Sequence, residues 1–348
     1  MIKAYVMAAG VGTRLEPLTL AVPKPMVPVC NVPIMEYNIE LLKKYGLADI
    51  TANLHYFPEQ IEAYFKDGSD FGVNMRYSFE EELMGTAGGV KKMAGLSGLS
   101  AGGKAVVLSA DVLTDIDLSE LLKLHDKSGS KATIALVEVE DTSEFGVVVT
   151  DSSGRITAFQ EKPRNEEALS KSINTGVYIL EKEVIDLIPP ETFYDFGKQL
   201  FPVLVREKVP FYGFAAGTYW KDIGNIPNYI AANFDVADEK IESSFRHGAK
   251  IKPGVIVGKG CHIDEKAGFE GSVVVGRGCT IEKDALINDS VIWPGTSIGK
   301  GSKIDSCVIG SSCVIEHDCV IGKNCVIAGG NRIKKGSVIP ENTVLPPA

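Results

Sequence analysis

A glycine-rich turn near the N-terminus carries the residues best suited to binding phosphate. An apolar segment over residues 4–8 runs into Ala9-Gly10-Val11-Gly12-Thr13-Arg14, and Lys24 follows between two prolines. Glycine has no Cβ, so the backbone N–H groups of such a turn can approach a polyphosphate closely. Arg14 would add a planar fork of donors and Lys24 a point charge. The turn therefore predicts a phosphate site.

The two glycines alone are compatible with several kinds of turn. A Rossmann dinucleotide site would need a third glycine where Leu15 stands, and a P-loop would need Gly-Lys-Ser/Thr; neither is present. A tight strand-to-helix turn with a solvated Arg14 is the remaining alternative. Arg14 and Lys24 on one loop favour phosphate binding.

Two aspartates are candidates for binding a cation. Asp111 follows the apolar run Lys104–Ser109, and Asp222 lies in an aromatic turn that ends at Gly224. Magnesium prefers one or two carboxylates together with substrate phosphates. A pair of strand-end aspartates facing a phosphate loop would suit Mg²⁺, whereas the alternative is that both aspartates only cap local turns.

Strand and helix patterns alternate over residues 1–232, which predicts an α/β domain with a mainly parallel sheet and helices on its faces. Ligands of such sheets bind beyond the carboxyl ends of the strands. The Gly10 loop, the loop from Gly85 to Gly89, and Asp111 all follow predicted strands. We therefore expect them to meet at one edge of the sheet.

The periodicity changes after a helical linker assigned to residues 233–248. Apolar residues then recur every six positions over residues 249–345, which indicates a left-handed parallel β-helix. The predicted inward-facing series is Ile251, Val257, Ile263, Val275, Ile281, Ile287, Ile298, Ile304, Ile309, Ile315, Ile321 and Ile327, with slips near Phe269 and Cys307.

Six of the seven cysteines lie in this last segment. Their spacing matches no C-x-x-C zinc or redox motif, and Cys261, Cys279, Cys313, Cys319 and Cys325 follow the inward-facing apolar residues at a fixed distance. We interpret them as small packing residues in a reducing compartment.

Composition limits the classes of partner. The chain has 348 residues and a net charge of −9, which argues against nonspecific binding of nucleic acid. No apolar run approaches the ~20 residues that cross a bilayer, and the N-terminus shows no signal-peptide pattern. The sequence predicts a cytoplasmic protein with no membrane partner.

Taken together, the motifs resemble those of the sugar-1-phosphate nucleotidyltransferases. The N-terminal turn with Pro23-Lys24-Pro25-Met26 is similar to the family signature, and the stretches 80–88 and 109–113 are similar to those of mannose-1-phosphate guanylyltransferases. Further matches are Glu144-Phe145-Gly146, Glu161-Lys162-Pro163, Asn174-Thr175-Gly176 and Trp220-x-Asp222-x-Gly224. The resemblance covers essentially the whole chain, since many members carry a hexapeptide β-helix.

The resemblance implies transfer of a nucleotidyl group from a nucleoside triphosphate to a sugar 1-phosphate, with release of pyrophosphate. It implies Mg²⁺ on Asp111 and Asp222, Arg14 on the leaving pyrophosphate, Lys24 near the α-phosphate, and Lys162 on the sugar phosphate. The implied nucleotide-binding residues are Ala8, Ala9, Gly10, Gly12, Thr13, Arg14, Glu82, Gly85, Thr86 and Ala87, and the implied sugar-phosphate residues are Gly146, Glu161, Lys162, Asn174 and Thr175.

The base and the sugar are less closely specified. A carboxylate from Glu80, Glu81 or Glu82 could accept the N–H groups of guanine, which favours GTP with mannose 1-phosphate. Glucose 1-phosphate with UTP, dTTP or ATP is the near alternative. Two alternatives from other classes are acyl transfer by the β-helix and a non-catalytic regulatory subunit. The β-helix is expected to serve a homo-oligomer, because its flat sides and open ends need covering.

Overall fold

The computed structural model describes residues 1–241, 245 and 248–348 and divides into two compact units. Unit 1 comprises Met1–Gly10 and Met35–Trp220, and unit 2 comprises Val11–Ile34 and Lys221–Ala348. The segment Val11–Ile34 thus groups with the C-terminal part of the chain, although it lies near the N-terminus in sequence. It carries Gly12, Arg14 and Lys24.

The first 222 residues contain thirteen strands. They are β1 (Ile2–Met7), β2 (Pro28–Val29), β3 (Val32–Pro33), β4 (Asp49–Leu54), β5 (Asn74–Phe79), β6 (Lys104–Ser109), β7 (Val112–Thr114), β8 (Ala132–Glu138), β9 (Gly146–Thr150), β10 (Ile156–Glu161), β11 (Ser172–Glu181), β12 (Phe211–Ala215) and β13 (Trp220–Asp222). The α-helices are α1 (Ile34–Lys44), α2 (Pro58–Phe65), α3 (Gly85–Leu96), α4 (Leu118–Lys127), α5 (Lys182–Asp186), α6 (Phe201–Arg206) and α7 (Ile226–Ala237).

Unit 1 is built on a sheet in the order β10-β9-β11-β6-β1-β4-β5, with β8 beside β11 and β12 beside β8. Strands β6, β1, β4 and β5 run parallel, which confirms the predicted α/β class. Strand β11 lies antiparallel to β6 and extends the sheet to the antiparallel hairpin β9–β10.

Burial explains why the central strands read as continuous apolar runs. Residues Ala105, Val106, Val107 and Leu108 of β6 are all fully buried, because helices cover both faces of the sheet. On one face, β6 packs with α3 and with an aromatic cluster formed by Tyr178, Phe196, Phe201 and Phe211. This core holds the carboxyl ends of the parallel strands in fixed register.

Unit 2 contains α7 and a coil of short strands. The strands are β14 (Ala249–Lys252), β15 (Val255–Val257), β16 (His262–Ile263), β17 (Gly268–Val275), β18 (Thr280–Ile281), β19 (Leu286–Ile292), β20 (Ser297–Ile298), β21 (Lys303–Asp305), β22 (Val308–Ile309), β23 (Val314–Ile315), β24 (Val320–Ile321), β25 (Val326–Ile327), β26 (Arg332–Ile333), β27 (Val338–Ile339) and β28 (Val344–Leu345). From β15 to β25 each strand pairs in parallel with a strand one coil further along, which is the pairing of a parallel β-helix.

The six-residue repeat forms columns of stacked residues along the coil. One column runs through Ile281, Ile298, Ile315 and Ile333. The first three are among the predicted inward positions, and their burial confirms the prediction. The register shifts between Glu270 and Val273, close to the slip predicted near Phe269. The prediction for Ile251 is wrong: β14 runs antiparallel to β15 and leaves Ile251 53% exposed.

All seven cysteines are free thiols. Cys279, Cys313, Cys319 and Cys325 are fully buried in the coil, as predicted, and so is Cys307. Burial raises the pKa of Cys279 to about 11 and that of Cys307 to about 12, so both thiols stay protonated at neutral pH. These cysteines therefore act as packing residues.

Helix α7 overlaps the predicted linker and also contributes buried side chains to unit 2. Tyr229 and Asn233 are fully buried on it within unit 2. The remainder of the predicted linker includes residues 242–244, 246 and 247, which lie outside the described residues. Among the helices of the described residues, none is both long and apolar enough to span a bilayer.

Candidate active site

The carboxyl ends of the parallel strands bring three sequence motifs together in unit 1. Met7 at the end of β1 is in register with Asn53 on one side and with Ser109 on the other. The N–H of Ala110 donates to the carbonyl of Met7 at 3.0 Å. Ala8, Ala9 and Gly10 therefore emerge beside Asp111, which confirms that these loops share one edge of the sheet.

A buried carboxylate ties two of these loops to each other. Glu80, 4% exposed, accepts a hydrogen bond from Asn53 Nδ2 at 2.7 Å and another from the N–H of Met84 at 2.9 Å. Asn53 Oδ1 in turn accepts the N–H of Ala8 at 2.8 Å. Each carboxylate oxygen of Glu80 thus accepts a hydrogen bond from within the protein. Glu81 and Glu82, by contrast, are exposed. Glu80 organises the loop on which the other two acids are displayed.

The start of α3 is fixed against the segment around residue 194. Gly85 has a φ of +72°, and a Cβ there would lie 2.6 Å from the carbonyl oxygen of Tyr194. That same carbonyl accepts the N–H groups of Ala87 and Gly88 at 2.9 Å each. A side chain at Gly85 would therefore displace the contact that holds the first turn of α3.

Thr86 links this turn to the segment 195–198, which the sequence did not assign to a binding site. Its hydroxyl donates to Asp195 Oδ2 at 3.0 Å and accepts the N–H of Phe196 at 2.9 Å. Asp195 also accepts the N–H groups of Gly197 and Lys198 through Oδ1. The predicted nucleotide loop and the segment 195–198 thus form one hydrogen-bonded network in unit 1.

Glu161 lies where glycines make room for it. It ends β10 opposite Gly146, and Cβ atoms built on Gly146 and Gly197 would lie 3.3 Å and 2.1 Å from Glu161 Oε2. Burial raises the pKa of Glu161, and the charge of Asp195 adds to this effect, while Lys162 and Lys198 oppose it. A half-buried carboxylate of this kind can accept hydrogen bonds from a polyol. Lys162, next in the chain, is exposed at a φ of +49°.

Asn174 and Thr175 play different roles. Asn174 is held by its own side chain, which donates to Tyr178 Oη at 2.9 Å and accepts the N–H of Gly176 at 3.0 Å. The Thr175 side chain is buried, and its hydroxyl donates to the carbonyl of Ala135 at 2.7 Å. The Thr175 carbonyl accepts Trp220 Nε1–H at 2.9 Å. The hydroxyl of Thr175 therefore stabilises a bulge in β11.

Asp111 follows β6 in a rigid setting. Its Oδ1 accepts the hydroxyl of Ser109, and the carbonyls of its neighbours Ala110 and Val112 accept Asn38 Nδ2–H at 3.3 Å and 3.1 Å. These contacts fix both the backbone and the side chain of Asp111. Its position at a strand end, as predicted, suits a carboxylate that meets a ligand beyond the sheet.

In unit 2, the segment carrying Gly12 folds around Lys24. Gly12 has a φ of +77°, and a Cβ there would lie 2.8 Å from the Cβ of Lys24. The Thr19 hydroxyl donates to the Gly12 carbonyl at 2.9 Å. Lys24 is 8% exposed, so its aliphatic stem is packed and its ammonium group is set in a defined place.

Arg14 and Asp222 lie together in unit 2. A Cβ built on Gly224 would come within 2.2 Å of Asp222 Oδ1 and 3.0 Å of Arg14 Nη2. The N–H of Gly224 donates to Asp222 Oδ1 at 2.5 Å. Glycine is required at position 224 because both functional groups occupy the space that a side chain would fill.

Two carboxylates, one in each unit, have donor chemistry of the kind that Mg²⁺ prefers. Asp111 in unit 1 and Asp222 in unit 2 each offer carboxylate oxygens, and each is oriented by a hydrogen bond to its own Oδ1. Among the described residues no group of three or more His, Cys, Asp or Glu side chains forms a complete cage. Magnesium sites that use substrate phosphates need only one or two carboxylates.

The sequence patterns did not single out Asn53 or Asp195. The signal for Asn53 was a polar residue inside the otherwise apolar strand β4, and the signal for Asp195 was an acid two residues before a glycine. Neither signal is specific, because an exposed strand residue or a simple helix cap gives the same pattern.

Comparison with known proteins gives two family matches. A model described as "Nucleotidyl transferase" matches residues 3–239, and one described as "EIF2B subunit epsilon LbH domain" matches residues 238–339. The second agrees with the left-handed β-helix predicted from the repeat.

Two relatives cover most of the chain. The UTP–glucose-1-phosphate uridylyltransferase of Synechocystis is 40% identical over 320 residues, covering 88% of this chain and 82% of the relative. The mannose-1-phosphate guanylyltransferase of Mycobacterium tuberculosis is 31% identical over 319 residues, covering 88% and 79%.

One solved structure supports the fold. A putative glucose-1-phosphate thymidylyltransferase from Bacillus anthracis, in complex with a sucrose, superimposes with a TM-score of 0.63 at 21% identity. It covers 71% of this chain and 99% of that structure.

Proposed function

Because the chain belongs to the nucleotidyl transferase family, we propose that it transfers a nucleotidyl group from a nucleoside triphosphate to a sugar 1-phosphate. The observation that carries the proposal is the meeting of the Ala8–Gly10 turn with Asp111 at one edge of the sheet. The pairing of Arg14 and Asp222 around Gly224 supplies further groups suited to phosphate and metal. The names of the two relatives reported above, a uridylyltransferase and a guanylyltransferase, describe this class of reaction.

In the proposed reaction, a phosphate oxygen of the sugar 1-phosphate attacks the α-phosphorus of the triphosphate. The new bond forms as the bond from the α-phosphorus to the bridging oxygen of the β-phosphate breaks, and pyrophosphate leaves with the electron pair. A phosphate monoester carries about −1.5 to −2 charge at neutral pH, so no side chain has to deprotonate it. Catalysis then depends on positioning and on neutralising charge.

The residues would divide this work as follows. Arg14 would bind the departing pyrophosphate, Lys24 the α-phosphate region, and Lys162 the sugar phosphate. The turn from Ala8 to Thr13 and the loop from Glu82 to Ala87 would bind the nucleotide. Mg²⁺ bound by Asp111 and Asp222 would supply charge stabilisation at the transferring phosphate. Glu161, Asn174 and the backbone at Gly146 and Thr175 would hold the sugar.

We propose GTP and mannose 1-phosphate as the first substrate pair. Glu80 is occupied by Asn53 and Met84, so a carboxylate that reads guanine would be Glu82 or its neighbour Glu81, both exposed on the loop before Gly85. A carboxylate can accept the N1–H and N2–H groups of guanine, and uracil offers no matching pair of donors. The guanylyltransferase from M. tuberculosis supports this pair.

UTP with glucose 1-phosphate is the second candidate. It is favoured by the 40% identity to the Synechocystis uridylyltransferase, compared with 31% to the guanylyltransferase. The two candidates share every phosphate-binding and metal-binding residue named above. They differ only in the contacts to the base and to the sugar hydroxyls.

Release of pyrophosphate across a matrix of GTP, UTP, dTTP and ATP with mannose 1-phosphate and glucose 1-phosphate tests both candidates. We expect the highest kcat/KM with GTP and mannose 1-phosphate. Preference for UTP with glucose 1-phosphate would replace the first pair by the second. Absence of pyrophosphate release with every pair, in the presence of Mg²⁺, would overturn the proposed function itself.

We further propose a cytoplasmic homo-oligomer assembled through the β-helix. The buried, protonated thiols of the coil suit a reducing compartment. Light scattering of the full chain would give a mass above that of one 37.4 kDa chain if the proposal holds, and a monomer mass would reject it.

A further inference from the structure

A hairpin near the N-terminus is anchored to the β-helix within unit 2. Strands β2 and β3 are joined by Cys30 and Asn31, which have φ values of +44° and +71°. Positive φ at both central residues is the geometry of a tight two-residue turn. Cys30 at its tip is fully buried, so the hairpin is inserted into unit 2 rather than exposed at the surface.

A chain of two hydrogen bonds leads from the β-helix to this hairpin. Trp293, which follows β19, donates its Nε1–H to the hydroxyl of Tyr229 on α7 at 2.8 Å. The Tyr229 hydroxyl donates to the carbonyl of Pro28, in the first strand of the hairpin, at 2.7 Å. Trp293 is 4% exposed and Tyr229 is fully buried, so water does not compete for either bond.

Two asparagines hold the tip of the same hairpin. Asn233 Oδ1 accepts the N–H of Cys30 at 2.7 Å, and Asn233 Nδ2 donates to the carbonyl of Tyr229 at 2.9 Å. Asn31 Nδ2 donates directly to the carbonyl of Val275 in the coil at 3.1 Å. The hairpin is thereby fixed at its first strand and at both residues of its turn.

The anchored hairpin lies next to Lys24 in the chain. Lys24 begins a 3₁₀ turn that ends at Met26, and the N–H of Val27 donates to the Lys24 carbonyl at 3.1 Å. The Val27 carbonyl accepts the N–H of Ile34 at 3.1 Å, which closes the base of the hairpin. Gly12 packs against the aliphatic stem of Lys24. Because Lys24 directly precedes the hairpin, we expect a shift of the hairpin to move the Lys24 ammonium group as well.

We propose that Trp293 is a positioning residue for Lys24, acting through Tyr229 and the Pro28 carbonyl. The β-helix then has a part in nucleotidyl transfer apart from any role in assembly, because it holds the segment that presents Lys24 to the substrate phosphates. This inference rests on the proposed function for the role of Lys24. The hydrogen-bonded anchor itself is independent of that function.

Trp293→Phe tests the proposal in the full-length protein, because it removes the Nε1–H donor and keeps an aromatic ring. Thr296→Val is the matched control. Thr296 is buried in the same coil, where its hydroxyl donates to the Gly310 carbonyl at 2.7 Å and accepts the N–H of Cys313 at 3.2 Å. Its replacement therefore also breaks buried hydrogen bonds, none of them to the hairpin. Tyr229→Phe, which removes both bonds of the chain, is the second variant if Trp293→Phe does not fold.

The first readout is hydrogen–deuterium exchange without substrate. We expect the backbone over residues 23–33 to exchange faster in Trp293→Phe than in wild type, with no change in Thr296→Val. Unchanged exchange in Trp293→Phe and Tyr229→Phe would overturn the anchor.

The second readout is a double-mutant cycle with Lys24→Met. Misplacement of a binding group by a fraction of an ångström can cost about tenfold in kcat, and we expect a fall of this size in Trp293→Phe with little change in the KM for the sugar phosphate. In the Lys24→Met background the further effect of Trp293→Phe should be less than about twofold, since the two act as a unit.

An equal fall in both backgrounds, or no fall in either, would overturn the positioning role even if exchange is faster. Wild-type protein that turns over no substrate pair would overturn the proposed function, and with it the catalytic part of this inference. Unchanged exchange would overturn the inference and leave the proposed function in place.

Discussion

Asn53 and Glu80 face each other across the carboxyl ends of β4 and β5, with Asn53 Nδ2 2.7 Å from Glu80 Oε1. A Cβ built on Gly89 would lie 2.5 Å from Asn53 Nδ2 and 2.6 Å from Glu80 Oε1, so the helix that follows must present glycine to this pair. Through Asn53 the pair reaches Ala8, and through Glu80 it reaches Met84. The Glu80 carboxylate thus fixes the distance between the two loops proposed to bind the nucleotide, the turn at Ala8 and the loop at Met84.

Glu80→Gln should damage both stability and turnover. The glutamine amide can accept from only one of the two donors, so its NH₂ group must face either Asn53 or the N–H of Met84. Turning the Asn53 amide over moves the conflict to the N–H of Ala8. A buried donor left unpaired costs about 1–3 kcal/mol, and we expect urea unfolding to show a loss of this size together with a kcat/KM at least tenfold lower.

Glu82→Gln is the matched comparison on the same loop. Because Glu82 is exposed, we expect no change in the free energy of unfolding. If the Glu82 carboxylate binds guanine, the KM of the Glu82→Gln variant for GTP rises about tenfold, while its KM for UTP does not change. A variant with wild-type KM for both nucleotides would remove Glu82 from the base site.

Asp111→Asn should abolish Mg²⁺-dependent turnover and leave the fold intact, because an amide supplies a neutral ligand in place of the proposed anionic one. Ser109→Ala gives a graded version, since the Ser109 hydroxyl orients Asp111. Loss of such a partner typically costs 10- to 100-fold in metal affinity. We expect the Mg²⁺ concentration for half-maximal rate to rise about tenfold. An unchanged Mg²⁺ dependence in both variants would exclude Asp111 as a ligand.

Gly224→Ala should reduce kcat by about 100-fold or more, because its methyl group would displace Asp222 and Arg14 together. Gly217→Ala is the control, since a Cβ at Gly217 has no heavy atom within 4 Å. Pyrophosphate release at saturating substrate is the measurement. Comparable rates in the two variants would show that Arg14 and Asp222 need not keep this arrangement.

Local patterns in the sequence were sufficient for much of the fold. The apolar run of β6 identified a buried central strand, and the six-residue repeat identified the coil, since both patterns depend on nearby residues. The strand ends then indicated where the loops around Gly10, Gly85 and Asp111 would meet. These inferences needed no knowledge of distant contacts.

Contacts between distant residues could not be read in the same way. Tyr229 and Pro28 are separated by 201 positions, and nothing near either residue indicates the other. The grouping of Val11–Ile34 with the C-terminal unit follows from such contacts. The use of Glu80 is a similar case: three adjacent acids look alike in sequence, and only the position of Asn53 separates the buried one from the exposed ones.

His125 gives a prediction for the dependence of stability on pH. It is 1% exposed, its Nδ1 lies 2.8 Å from the hydroxyl of Thr133, and its Nε2 lies 3.2 Å from Glu181 Oε1. Burial lowers the pKa of His125, and this effect outweighs the opposing hydrogen bond to Glu181. The folded state therefore holds a neutral imidazole at a pH where the unfolded chain already binds a proton.

The stability that His125 contributes is present above the unfolded pKa of about 6.5 and is lost as the pH falls below it. Between about pH 7.5 and about pH 5.5 this single group can reduce the free energy of unfolding by at most about 1.4 kcal/mol. His125→Gln stays neutral in both states, so its urea unfolding should lose correspondingly less stability over the same interval than wild type. Comparing the two proteins cancels the other titrating groups. An equal loss in both would show that His125 is protonated as readily in the folded state as in the unfolded chain.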